Sequence, residues 1–220
     1  MLALQYVSIM IQITRYKTYM KTIIISALAI SGLNACKNSS TASVPAEKQI
    51  IAVVGNSNVP AHHTSIFAAF EGLDGSAENY IQASQFLDRI GAKPMSQDND
   101  KAKHWYNLAV SIDARIAEKH PPFRGRVKGP AYREHKLTAG NTDVINEVFY
   151  AAEPAQLSVK TRQGTVTLRV KVGDGETPVC HMEANSEASS CAWTPLYTTP
   201  YEIMLTNTSD SDVFYVLVSN

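Results

Sequence analysis

Val166-Thr167-Leu168-Arg169-Val170-Lys171-Val172 alternates apolar and polar side chains without a break. A period of two sends one set toward a core and the other toward water, so this stretch predicts a half-buried strand. Downstream, Tyr201, Ile203 and Leu205 alternate with Glu202, Met204 and Thr206, while Val213 to Val218 is apolar on both faces, as a central strand is. Asn207-Thr208-Ser209-Asp210-Ser211 between them is turn chemistry. Glu147 to Tyr150 and Leu157 to Thr161 add two more short apolar runs. Short strands separated by Gly, Pro, Asn and Asp breaks over residues 137–220 predict an antiparallel β-sandwich.

The same third of the chain carries a family resemblance. Leu137-Thr138-Ala139-Gly140, Phe149-Tyr150-Ala151, Val179-Cys180, Cys191-Ala192-Trp193-Thr194-Pro195, Pro200-Tyr201-Glu202-Ile203, Asn207 and Tyr215-Val216-Leu217 follow one another in an order that resembles the bacterial pre-peptidase C-terminal domain. The resemblance implies a small jelly-roll-like sandwich of an exported protein, linked to substrate or matrix binding, secretion or solubility. Some relatives bind calcium through clustered acids. Here Asp174 and Glu176 are the local candidates, and their Gly-Asp-Gly-Glu setting reads better as a solvated hairpin turn.

Toward the N-terminus, the first 35 residues hold Arg15, Lys17 and Lys21 and no acid, followed by the apolar run Thr22 to Ile30. That run falls short of the roughly 20 apolar residues a membrane span needs, so residues 1–35 are expected to be a signal peptide. Met20 makes a more compact start than Met1. Leu33-Asn34-Ala35-Cys36 resembles a lipobox, which would make Cys36 a diacylglyceryl-bearing N-terminus and the membrane its first partner. Cleavage after Ala35 without lipidation is the alternative. The expected location is the bacterial envelope, on the periplasmic face of the outer membrane.

Three cysteines leave Cys180 and Cys191 as an even pair once Cys36 is lipidated. An oxidising compartment would let them bridge, with ten residues between them. A redox or metal pair is the alternative, but neither a Cys-x-x-Cys spacing nor companion ligands beyond His181 supports it. Removing residues 1–35 takes Lys plus Arg from 20 to 17 against 20 Asp plus Glu, a charge of about −3. Such a balance argues against nucleic acid as the main partner.

Residues 36–64 read as a flexible tether, small and polar, with a strand or an apolar plug at 49–54. Over residues 65–120 the period becomes helical. Tyr80, Ile81, Ala83, Ser84, Leu87 and Ile90 predict a helix capped by Ser76 and stopped by Gly91 and Pro94. Trp105, Leu108, Ala109, Ile112 and Ile116 predict a second, capped by Asp100, and a shorter helix is expected around Ser65 to Phe70. The architecture expected is therefore α+β, a helical hairpin or small bundle followed by the sandwich, with the apolar stripes packed on each other or on the sandwich.

Residues 121–136 form a basic connector in which Arg124, Arg126, Lys128 and Arg133 place four cations in ten residues, with Phe123 and Tyr132 as anchors. It reads as an anion-binding loop or as a linker whose arginines bridge the two halves. The histidines are scattered, and His62-His63 reads as an ordinary surface pair. No catalytic residue set, metal ligand set or cofactor motif is evident. The functional expectation is a non-catalytic binding or adaptor module for an envelope protein or glycan. The alternatives are an accessory subunit or inhibitor of a secreted hydrolase, and a hydrolase with an unrecognised site. An adaptor should expose an apolar or aromatic patch, whereas a hydrolase should hold a polar cleft with converging ionisable groups.

Overall fold

A computed structural model describes residues 58–119, 129–173, 175 and 177–220. The expected signal peptide, Cys36, the 49–54 strand, Arg124, Arg126, Lys128, Asp174 and Glu176 lie outside these residues. Among them the chain forms helices α1 (Ala61–Glu71), α2 (Ala77–Arg89), α3 (Lys101–Ile112) and α4 (Arg115–Lys119). The strands are β1 (Lys93–Pro94), β2 (Ala131–Leu137), β3 (Thr142–Phe149), β4 (Ala155–Thr161), β5 (Val166–Val172), β6 (Cys180–Ala184), β7 (Ser189–Trp193), β8 (Thr199–Asn207) and β9 (Val213–Ser219).

Two sheets stack face to face, in the orders β1-β2-β9-β4-β7 and β3-β8-β5-β6. Every pairing is antiparallel except the short β1–β2 contact. From β2 onward this is the eight-strand order of a jelly roll. Leu157, Val159, Leu168, Val170, Ile203, Leu205 and Leu217 fill the space between the sheets, with the Phe149, Trp193 and Tyr201 rings packed together at one end. The alternation in β5 and β8 survives intact because one face of the second sheet meets solvent.

The first sheet is covered on its other face by the helices. Ile66, Phe67 and Phe70 of α1, Ala83 and Leu87 of α2, and Ala102 and Trp105 of α3 pack on Tyr132, Val216 and Val218. Thus β9 is buried on both sides from Tyr215 onward, which accounts for the apolar run through Val218, while Phe214 at its start is exposed. The predicted caps are present: Ser76 accepts from Asn79 N, and Asp100 accepts from Lys103 N.

Two boundaries differ from expectation. Strand β2 begins at Ala131, so the C-terminal part of the stretch read as connector is sheet, and Tyr132 is buried with its hydroxyl accepting from Lys101 N at 2.9 Å. The second long helix ends at Ile112, because the Asp113 carboxylate accepts Arg115 N and restarts the chain as α4.

The sandwich is tied across both lateral edges. Cys180 on β6 and Cys191 on β7 form a disulfide between the sheets. At the opposite edge Arg133 on β2 makes forked hydrogen bonds of 2.8 and 3.0 Å to Asp143 on β3, and the Tyr215 hydroxyl donates a short bond to the same carboxylate. Replacing both Cys180 and Cys191 by Ala should lower unfolding free energy by about 3 kcal/mol, the loop-closure value for a crossing of this length. Denaturant unfolding of the protein with and without reductant measures it. An unchanged midpoint would show that the edge strands hold without the bridge.

Candidate functional site

Three places outside the sandwich core gather side chains capable of chemistry or recognition. The first lies under α1. His63 is fully buried, with Nδ1 2.7 Å from the Ser158 hydroxyl on β4. Ser158 in turn donates to Ser190 at 2.9 Å, Ser190 donates to the Leu157 carbonyl, and Gln156 donates to Ser190 at 3.1 Å. Because Ser158 has a single proton and spends it on Ser190, its bond with His63 must be donated by Nδ1–H. The imidazole therefore gives a proton to the hydroxyl's lone pair. Nucleophile activation requires the reverse, and neither group meets solvent, so the pair is a polar seam between helix and sheet. Burial and the neighbouring His62 lower the His63 pKa to about 4. The surface reading of the pair is thus corrected for His63, while His62 remains exposed.

The second place is a cleft of about 560 Å³ between the helices and the first sheet, backed by Phe70, Tyr80 and Trp105. Ionisable groups do converge at its mouth, but they neutralise one another. Glu134 is held by Lys101 at 2.7 Å and by Arg162 at 2.8 Å, and Glu71 by Lys160. Trp105 serves the core, set edge-on to Phe70 at 4.8 Å.

The third place is one end of the sandwich. Tyr150, just past β3, and Leu196 and Tyr197, between β7 and β8, are 59 %, 50 % and 71 % exposed. Val148, pointing outward from β3, is 50 % exposed. The two loops are joined rigidly: Ala151 N donates to the Thr198 hydroxyl at 3.0 Å, and Ala152 N donates to the Pro195 carbonyl at 2.8 Å. Beside Tyr150 opens a concavity of about 450 Å³ reached by Glu147, Glu153 and Lys93. Burial raises the Glu147 carboxyl pKa, against the attraction of Lys93. The sequence signal for this end is Leu196-Tyr197, two large apolar residues inside a Pro- and Thr-rich turn.

Of the sequence-derived sites, the structure brings Cys180 and Cys191 together and places Arg133 on β2 with its guanidinium paired to Asp143. No group of three metal-capable side chains occurs among the described residues.

No family model and no curated protein matches the chain. Solved structures similar to part of it include the pre-peptidase C-terminal domain of a Bacillus anthracis collagenase, at 18% identity, TM-score 0.36, and coverage of 40% of this chain and 87% of that one. The Yersinia pseudotuberculosis-derived mitogen matches at 10% identity and TM-score 0.35, covering 43% and 86%. Aeromonas hydrophila PliG, a periplasmic inhibitor of g-type lysozyme, matches at 14% and 0.30, covering 41% and 84%.

The seam under α1 makes a pH prediction. With a folded pKa near 4 against 6.5 for the free side chain, the unfolded chain binds the extra proton first, so stability is full above about 6.5 and falls as pH drops toward 4. The loss should approach about 3 kcal/mol, and His63→Asn should flatten that part of the curve. Denaturant midpoints across the window decide it; parallel curves for both proteins would remove His63 as the cause.

Proposed function

We propose that this chain is a lipid-anchored envelope protein acting as a non-catalytic binding or adaptor module, with the Tyr150–Tyr197 end of its sandwich as the docking surface. The observation that carries the reading is the pairing of large exposure with a fixed backbone. Tyr150, Leu196 and Tyr197 present apolar surface on loops already tied to each other. A preorganised aromatic surface loses little conformational entropy on association, and tyrosine combines apolar contact area with a polar tip. Exposing such groups has no benefit for the sandwich itself, whose own aromatic cluster of Phe149, Trp193 and Tyr201 is buried beneath.

A lipid on Cys36, at the start of a polar tether, would hold this surface near the membrane. A partner protein of the periplasm or outer membrane fits the platform best. In the cleft under the helices, Glu134 is paired with Lys101 and Arg162.

Crosslinking in intact cells, followed by capture and mass spectrometry, tests the proposal. Cys36→Ser should move the protein from the membrane fraction to the soluble fraction. Tyr150→Ala with Tyr197→Ala should abolish the dominant crosslink while shifting stability by less than about 0.5 kcal/mol per exposed site. A crosslink of undiminished yield in the double variant would place the docking surface elsewhere.

A further inference from the structure

We infer that the concavity beside Tyr150 is a seat for an arginine side chain of the partner, with Glu147 binding the guanidinium and Tyr150 offering it a ring face. The inference rests on the reading of this end as the docking surface, and it names the chemistry the partner brings.

The argument begins with alternation in β3. Thr142, Val144, Asn146 and Val148 point outward, so Asp143, Ile145, Glu147 and Phe149 point toward the first sheet. Two of those inward residues are acids on an edge strand. Asp143 is fully matched, by the forked Arg133 guanidinium and the Tyr215 hydroxyl. Glu147 lies four residues further along the same face and has no such match. It is half-buried, takes part in no hydrogen bond, and has Lys93 near enough to attract it but not to form an ion pair.

A carboxylate withdrawn from water with no donor costs stability. Here the cost sits beside a preformed concavity of about 450 Å³ that Ala155 and Tyr150 also line. The raised Glu147 pKa has the same origin, since burial is its leading cause. Glu153 adds a second carboxylate, so among the described residues the concavity holds two acids and the ammonium of Lys93.

The ligand is therefore cationic. Arginine suits it better than lysine or a metal ion. Its planar fork can meet both oxygens of one carboxylate, it is weakly hydrated and so loses less on leaving water, and it stacks on an exposed phenol ring such as Tyr150. The only paired inward acid of β3, Asp143, is held by this same forked geometry within the chain. A metal ion would call for more ligands than the described residues gather.

The test uses the purified whole chain and N-acetyl-arginine N-methylamide as probe, with the citrulline analogue as an uncharged shape match, followed by NMR. The arginine probe should perturb Glu147 and Tyr150 signals and lower the apparent Glu147 pKa; the citrulline probe should do neither. Glu147→Gln should weaken arginine binding by about tenfold. The same change should raise the melting temperature at neutral pH, because it removes an unpaired buried charge; that rise also shows that the variant folds. Lys93→Ala should tighten binding by about threefold, since it removes the competing cation. Equal binding of both probes, no binding of either, or a Glu147→Gln protein that binds like the wild type would each overturn the arginine seat. If the seat fails while Tyr150→Ala with Tyr197→Ala still loses the crosslink, the docking surface stands without it. If the arginine probe binds as expected while that crosslink persists, the seat stands and the docking reading falls.

Discussion

Burial of β9 on both faces is the constraint from which the rest of the architecture follows. Val213, Tyr215 and Leu217 enter the core between the sheets, while Val216 and Val218 point the other way. A strand with two apolar faces cannot end in solvent, so the first sheet requires a second cover. Helices α1, α2 and α3 provide it, while Ile81, Ala109 and Ile116 form a smaller cluster among α2, α3 and α4 themselves. The helical layer and the sandwich are thus one folding problem. Loosening α1 from the sheet would expose both the Ile66 and Phe70 cluster and the outward face of β9.

That second cover has a polar component which propensities do not describe. Beneath α1 the sheet offers Ser158 and Ser190 in place of apolar residues, and His63 descends from the helix to meet them. The result is a directional chain of donors ending on the Leu157 carbonyl. Such a chain specifies register: sliding α1 by one residue would leave the buried His63 Nδ1–H without its Ser158 acceptor, at a cost of about 1–3 kcal/mol. Apolar contacts alone tolerate that slide better. The Tyr132 hydroxyl does related work for α3, taking the Lys101 amide at the first turn.

Legibility in the sequence follows from which elements have one simple environment. Strand β5 meets a core on one side and water on the other, so Val166 to Val172 alternates cleanly, and Ser76 and Asp100 cap their helices through purely local bonds. Strand β2 has no such simplicity. Its inward positions include Arg133, neutralised by Asp143 ten residues later, and its outward Tyr132 is buried under helices, so hydropathy alone made Ala131 to Lys136 resemble a basic connector. His63 was illegible for the same reason, since its partner lies 95 residues away. The edge strands β6 and β7 are short and polar, and only the cysteine pair marked them. At the Tyr150 end of the sandwich, Leu196 and Tyr197 are large apolar residues in a turn, but the joining of their loop to that of Tyr150 depends on bonds between segments distant in sequence.

The two lateral ties of the sandwich differ in chemistry, and the difference bears on where recognition can sit. The disulfide edge is covalent and short, with both cysteines buried, so it leaves little that a partner could rearrange. The opposite edge is closed by charge: Arg133, Asp143 and Tyr215 bind one another, and burial together with the Asp143 charge raises the Tyr215 pKa, keeping its hydroxyl protonated as a donor. Inward acids on an edge strand also discourage pairing with another chain, because an added strand could not satisfy them. Within β3 that device is complete at Asp143 and open at Glu147, where the strand runs out toward the exposed tyrosines. A closed sandwich with both edges tied leaves its loop ends exposed, and at the end bearing Tyr150 and Tyr197 the nearest inward acid, Glu147, makes no ion pair among the described residues.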